Sequence, residues 1–277
     1  MQFSKKILAG VSMLALASSL FASGKADTLD KVAQIKKAGK IIMGTSADYP
    51  PYEFHSLKDG KDTIVGFDVA IAQEIAKDLG VKLEIKDMQF DGLLAALQAG
   101  TIDIVIAGMT PTEERKKSVD FTKTYYYAVH GVIVRAADKD KYSTVEALKG
   151  ARLSAQKGTI QVGIAKKQIL GMTDAEAEKD SNVVKELGTI KNLVLDLKNN
   201  KVDAIVAELP VANAYVGKNP DLAVAAPTFK DDEGGSAVAI KKGNEALVTA
   251  INGTLDRLMG AKDIEKFVAE ANDLVEN

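Results

Sequence analysis

The chain has 277 residues, 46% of them hydrophobic and 27% charged, with a net charge of −2: enough for two ordinary globular domains or one large one, and a charge balance that disfavours nucleic acid and anionic membranes as partners. It contains no cysteine, which excludes disulfides, thiolate metal sites and a cysteine nucleophile. His55 and His130 are its only histidines, too few for a histidine-rich metal centre, so neither metal nor cofactor is expected.

The chain begins with Lys5 and Lys6, an apolar run over 7–21, and the small residues Ala22, Ser23, Gly24 and Ala26, the pattern of a cleaved signal peptide occupying 1–26. The run falls short of the ~20 apolar residues of a membrane span, and Ser12, Ser18 and Ser19 interrupt it. Its removal takes away three lysines and no acid, shifting the net charge from −2 to −5. With no cysteine to carry a lipid anchor, the expected product is exported and soluble.

Leu29, Val32, Ala33 and Ile35, with Gly39 behind them, predict a short amphipathic helix with a glycine stop. Residues 40–45 read as a buried strand running into Ser46-Ala47-Asp48-Tyr49-Pro50-Pro51-Tyr52-Glu53-Phe54. The paired prolines stiffen this loop and present Tyr49, Tyr52 and Phe54 as a binding platform, with at least one of the three expected to pack on the core. A turn at Lys58-Asp59-Gly60 leads to Val65-Gly66-Phe67-Asp68 and a helix with Ala72, Ile75, Ala76 and Leu79 on one face and Gly80 as its stop. Val81, Leu83 and Ile85 alternate as a strand, and Phe90-Asp91-Gly92 opens a helix through Leu93, Leu94 and Leu97 to Gly100. This alternation of strand and helix argues for a parallel sheet with helices on its faces.

The next unit is central. A strand over 102–106 ends at Ala107-Gly108-Met109-Thr110-Pro111, where Thr110 reads as the N-cap, Pro111 as the first helical residue and Glu113 as the return partner of a capping box. Amides at such a helix start attract anions, and Arg115, one turn in, adds a two-pronged guanidinium that fits a carboxylate. The competing reading is a capped surface helix with Arg115 paired to Asp120.

Residues 121–134 read as extended chain, and the charged run 137–141 as solvated surface. Alternation then resumes: a strand over 152–155, a helix opened by Lys157-Gly158-Thr159, a strand over 183–187, a helix through 193–197, a strand over 202–207 and a helix after Pro210. A strand over 237–240 and two helices, 245–259 and 263–274, finish the chain, and the tail is expected to return to the first half. An internal echo accompanies this. Shifted by a hundred residues, Leu93 meets Leu193, Leu97 meets Leu197, Asp103 meets Asp203 and Ala107 meets Ala207, which predicts two lobes of similar α/β build.

In open α/β sheets, ligands bind beyond the carboxyl ends of the strands. Those ends supply Ser46, Tyr49 and Phe90, then Gly108, Met109, Thr110 and Arg115 in the first half. The second half supplies Gln156, Gly158, Thr159 and Ile160, then Glu208, which echoes Gly108. A cation and an anion facing one another across a cleft fit a ligand with both a carboxylate and an ammonium, a free amino acid.

The segments 44–54 and 65–68, the Ala107-Gly108-Met109-Thr110 stretch through Arg115, Val119-Asp120-Phe121 and Lys157-Gly158-Thr159 together resemble, in order, the periplasmic polar-amino-acid-binding proteins, solute receptors of amino-acid ABC importers. The resemblance implies a type II periplasmic-binding-protein fold: two lobes, each a mostly parallel sheet flanked by helices, joined by two crossover strands acting as a hinge. It implies lobes at 27–127 with 231–277 and at 128–230, a periplasmic location, permease subunits as partners and a monomer. By the same resemblance Arg115 grips the α-carboxylate with Thr110 and Thr159, Glu208 and Gly108 take the α-ammonium, and Tyr49 and Phe90 sandwich the side chain. Ser46 and Gln156 fall where relatives choose that side chain. Serine at 46, where binders of basic or amide ligands often carry an acid, and the apolar Ile160 point to a small or neutral polar amino acid. An enzyme on this scaffold, dehydratase-like, with Glu208 or His130 as acid or base, and a ligand-sensing domain are the alternative readings.

Overall fold

The computed structural model of the chain describes residues 30–58, 60–230 and 234–276, so the expected signal peptide lies outside the described residues. Helix α1 (Lys31–Ala38) starts where the Asp30 side chain accepts from the Ala33 N–H at 2.8 Å and stops at Gly39. Strand β1 (Lys40–Thr45) follows, and the stiff loop folds into β2 (Asp48–Tyr49) and β3 (Glu53–Lys58) around a cis Pro50–Pro51 bond. β3 pairs with β4 (Lys61–Val65) as a hairpin. Gly66 has φ +128°, and a Cβ there would lie 2.1 Å from the Tyr52 carbonyl oxygen. Only glycine lets α2 (Phe67–Leu79) start so close that the Phe67 and Asp68 N–H groups donate to the Pro51 and Tyr52 carbonyls. That contact seats Asp68 against the loop carrying Tyr49, Tyr52 and Glu53.

β5 (Lys82–Asp87), a 3-10 turn at Phe90–Gly92 and α3 (Leu93–Ala99) follow as patterned, and β6 (Ile104–Val105) is shorter than the strand expected over 102–106. α4 (Glu113–Lys116) is a single turn, and its cap differs from expectation. The N-cap is Thr112, whose hydroxyl accepts from the Arg115 N–H at 3.2 Å, and not Thr110. The Thr110 carbonyl takes the Thr112 N–H at 3.0 Å, a tight turn that keeps Thr110 and Pro111 outside the helix. β7 (Val119–Tyr126) and β8 (His130–Arg135) divide the tyrosine-rich run. The second half continues through α5 (Val145–Leu148), β9 (Leu153–Gln156), α6 (Ile160–Ile164) with a π-helical extension at Ala165–Ile169, and α7 (Asp174–Lys179). β10 (Lys185–Leu187), α8 (Ile190–Lys198), β11 (Ala204–Glu208), α9 (Leu209–Lys218) and β12 (Leu222–Val224) complete it. β13 (Ser236–Lys241), α10 (Glu245–Gly260) and α11 (Asp263–Glu276) end the chain.

These strands make two five-stranded sheets of matching build, β5-β1-β6-β13-β7 and β10-β9-β11-β8-β12, besides the small β2-β3-β4 sheet. In each large sheet the first three strands are parallel, and the fourth runs against both its neighbours. The chain crosses between them through 127–129 and again between Val224 and Ser236, and β13 lies in the first sheet. α10 packs on β7 and α2, while α11 touches both α2 and α9. Among the described residues no helix is long and apolar enough to cross a membrane.

The hundred-residue echo is structural. Leu93, Leu97 and Val105 are fully buried, and so are Leu193, Leu197 and Ile205. Asp103 accepts from the Ile42 N–H and donates its own N–H to the Ile42 carbonyl, both at 2.8 Å. Asp203 does the same with Arg152, at 3.1 and 2.9 Å. The guanidinium of Arg152 at 2.7 Å, and that of Arg135 at 2.8 Å, hold the Asp203 carboxyl well below the usual carboxylate range.

Replacing this anchor, Asp203→Ala, is expected to lower stability in urea unfolding by about 1–3 kcal/mol at neutral pH. A depressed pKa contributes stability that is present above the unfolded-state value of about 3.9 and lost as pH falls through the folded one. The gap between wild type and variant should therefore close below about pH 4; a gap constant into acid would show that the carboxylate charge is not what matters.

Candidate functional site

Residues just beyond β1 and β6 and at the end of β9 line one narrow cleft between the two large sheets. Nine of the twelve residues picked from strand ends line it. Ser46, Tyr49, Phe90, Gly108, Thr110 and Arg115 come from the first half, and Gln156, Thr159 and Ile160 from the second. Met109, Gly158 and Glu208 are not among the lining residues. The Met109 side chain packs with Leu93, Val105 and Val119, and its carbonyl takes the Ala237 N–H at 2.9 Å. The backbone bends at Gly108 and turns the Met109 side chain away from the cleft into the core. Glu208 is buried behind two tyrosines: its carboxylate accepts from the Tyr52 hydroxyl, and its N–H donates to the Tyr49 hydroxyl at 3.4 Å.

The Arg115 guanidinium spans the cleft. It donates to the Thr110 carbonyl at 2.7 Å and to the Gly158 carbonyl at 3.0 Å, one from each half of the chain. Its central carbon lies 5.3 Å from the centroid of the Phe90 ring, a stacked cation. Asp120, the partner of the competing reading, accepts from the Gly243 N–H at 2.7 Å. Thr159 donates its hydroxyl to the Gln156 carbonyl at 2.7 Å, which fixes the start of α6. Gly108 has φ +55°, and its N–H donates to Asp68 at 2.8 Å. A Cβ there would lie 3.3 Å from the Tyr52 ring, so a glycine lets the backbone bend over the aromatic platform. Of that platform Tyr52 is core, as expected for at least one ring, and Tyr49 lines the cleft.

Three lining residues were not anticipated: Glu53, Ala107 and Gln161. Gln161 lies 3.3 Å from both the Tyr49 hydroxyl and His130 Nδ1. Glu53 matters most. Among the described residues that line the cleft, Arg115 is the one base and Glu53 the one acid. An acid between two aromatics on a loop expected to pack is the sequence feature that points to it. Glu53 is fully buried. Burial, and then Asp68 beside it, push its carboxyl well above the usual range. Burial also pushes Asp68 up to about 6, against the pull of the Gly108 N–H and the Tyr125 hydroxyl. Asp48 is likewise raised by burial.

Asp48 also joins the halves. Its carboxylate accepts from the Ile190 N–H at the start of α8 at 2.5 Å, and its carbonyl from the Tyr215 hydroxyl of α9 at 2.8 Å. An ion pair between Lys157 and Asp91, 2.9 Å, closes the rim.

Residues 41–270 match the model of the bacterial extracellular solute-binding proteins, family 3. The chain is 39% identical over 230 residues to the arginine-binding extracellular protein ArtP of Bacillus subtilis (strain 168), covering 82% of this chain and 84% of that protein. It is 33% identical over 216 residues to a probable histidine-binding protein of Campylobacter jejuni, covering 78% of each. A crystal structure of an amino acid ABC transporter substrate-binding protein from Streptococcus pneumoniae, bound to L-arginine, superposes with a TM-score of 0.81 at 36% identity, covering 88% of this chain and 98% of that one.

Asp48 gives the closure a test. Asp48→Ala removes the acceptor for the α8 amide, and small-angle scattering without ligand should then report a larger radius of gyration than wild type. An unchanged radius would mean that the halves are held together by other contacts.

Proposed function

The chain belongs to the bacterial extracellular solute-binding proteins of family 3, and on that footing we propose that it captures a free amino acid with a cationic side chain between its two sheets and passes it to the membrane subunits of an ABC importer. The observation that carries this reading is the joint presence in one cleft of Arg115 and the buried Glu53, with Glu208 one tyrosine away. The guanidinium of Arg115 offers two parallel donors to the α-carboxylate, with Thr110 and Thr159 adding to them. The Gly108 carbonyl takes the α-ammonium, with Glu208 adding its negative charge from behind Tyr49 and Tyr52, the rings of Tyr49 and Phe90 hold the aliphatic stem, and Glu53, with Ser46 and Gln156, meets the distal charge. A cationic ligand replaces the small or neutral polar one expected from Ser46, because the acid missing at that position is supplied by Glu53 on the same loop. The relatives named for arginine make L-arginine the first probe.

In this reading residues 27–127 with 231–277 form one lobe and 128–230 the other, and the two crossings between the sheets are the hinge on which they close. Residues 1–26 are removed on export, the product acts outside the cytoplasm as a monomer, and the ligand is released unaltered.

A thermal-shift screen against the free amino acids should show the largest rise with L-arginine and other cationic ligands, since binding to the folded state alone stabilises by mass action. A shift with neutral amino acids and none with arginine would overturn the ligand class. Arg115→Ala should keep the fold and lose at least about a hundredfold in affinity by titration calorimetry, since a half-made buried pair costs ~3–5 kcal/mol. Wild-type affinity in that variant would remove Arg115 from the site.

A further inference from the structure

Glu53 and Asp68 form a pair that two ionised carboxylates cannot form. Neither Glu53 oxygen meets a hydrogen-bond donor among the described residues, and nor does Asp68 Oδ1. The other oxygen of Asp68 accepts from the Gly108 N–H at 2.8 Å and the Tyr125 hydroxyl at 2.9 Å. The Glu53 carboxyl lies beside that of Asp68, and both are fully buried. One proton relieves this: with Glu53 neutral, its O–H donates to Asp68 Oδ1, which satisfies two of the three orphan oxygens and leaves the third on an uncharged carboxyl. Glu53 is the carrier because Asp68 already has two donors that stabilise its charge.

The surrounding charges favour the same arrangement. Asp48 on β2 and Glu208 at the end of β11 are buried acids that oppose a further negative charge at Glu53. Tyr49 on β2 and Tyr125 on β7 are held neutral by burial. Arg115 is the base of the same cleft, and His130 on β8 reaches the lining through Gln161.

We propose that Glu53 is a proton–cation exchange site, which keeps a proton on its bond to Asp68 until the cationic end of an amino acid docks and then releases that proton to solvent. The Glu53 O–H bond breaks, the proton passes to the buffer, and the carboxylate formed accepts N–H bonds from the ligand's guanidinium while Asp68 stays ionised. The buried site carries one negative charge before docking, on Asp68, and one after it, when the cation offsets the new Glu53 carboxylate, so the cation enters without changing the net charge of the site. A neutral side chain of the same shape meets the protonated acid and releases nothing. This inference rests on the cationic-ligand reading.

Titration calorimetry of the purified protein with L-arginine and its neutral isostere L-citrulline, in phosphate and in imidazole at one near-neutral pH, tests it. The arginine heat should differ between buffers by the equivalent of about one proton released per ligand, and arginine affinity should rise by up to about tenfold per pH unit while Glu53 is protonated. Citrulline shares the α-amino and α-carboxyl groups, so the excess release with arginine belongs to the side chain. Glu53→Gln, which keeps a donor to Asp68, should abolish the buffer dependence and narrow the preference for arginine over citrulline by roughly tenfold or more. Asp68→Asn should reduce the release, because a neutral neighbour lets Glu53 ionise beforehand. Buffer-independent arginine heats in wild type overturn the exchange and leave the ligand reading standing; buffer dependence that persists in Glu53→Gln overturns the role of Glu53. Failure of arginine to bind overturns the ligand reading, and the exchange with it.

Discussion

Negative charge buried between two sheets is the constraint that the rest of the molecule accommodates. Asp48, Glu53, Asp68 and Glu208 all lie out of solvent around one cleft, where each unpaired charge is costly. Each is met differently. The Ile190 amide at the start of α8 meets Asp48, and the Gly108 amide and Tyr125 hydroxyl meet Asp68. The Tyr52 hydroxyl meets Glu208. Glu53 is left to Asp68, which is why its protonation state carries weight. The glycines at 66 and 108 belong to the same account: both let backbone approach the tyrosines closely enough for these donors to reach. An apolar filling would be more stable, so the acids are explained by what they can bind rather than by folding.

The two sheets show how such a site is assembled from one plan used twice. Strand order and direction match, and Asp103 and Asp203 clamp equivalent strand pairs at their amino ends. At the opposite ends the halves diverge. Position 108 is a glycine whose amide serves Asp68, and position 208 is a glutamate set behind tyrosines. Equivalent frames with unequal tips suit a ligand whose two ends carry opposite charge.

Much of this was legible in the chain because apolar periodicity and glycine stops mark helices and strands locally, and because the rule that ligands gather at strand ends needs only their order. Nine lining residues follow from that rule. What was not legible depends on geometry beyond the local pattern. Whether Thr110 or Thr112 caps α4 turns on a single backbone bond. Met109 goes to the core because of the bend at Gly108, which the residue types alone do not orient. Glu53 sits on a loop whose side-chain directions the residue types do not settle, and the packing of β3 against α2 through Gly66 buries it.

The contacts that close the cleft fall into two kinds, and the division bears on how binding and closure are linked. Asp48 to Ile190 and Tyr215, and Lys157 to Asp91, join the halves through groups that do not line the cleft. Arg115 joins them through the Thr110 and Gly158 carbonyls while its guanidinium also faces the cleft. The first kind favours closure whatever the occupant. The second would let an occupant bias it, because a carboxylate held by Arg115, as proposed, would strengthen the element that reaches across. A ligand shifts a two-state equilibrium only by its differential interaction with the two states. On the proposed reading Arg115 is where that difference is made, and Glu53 is where it is made selective, since it would bind one charge and refuse the other.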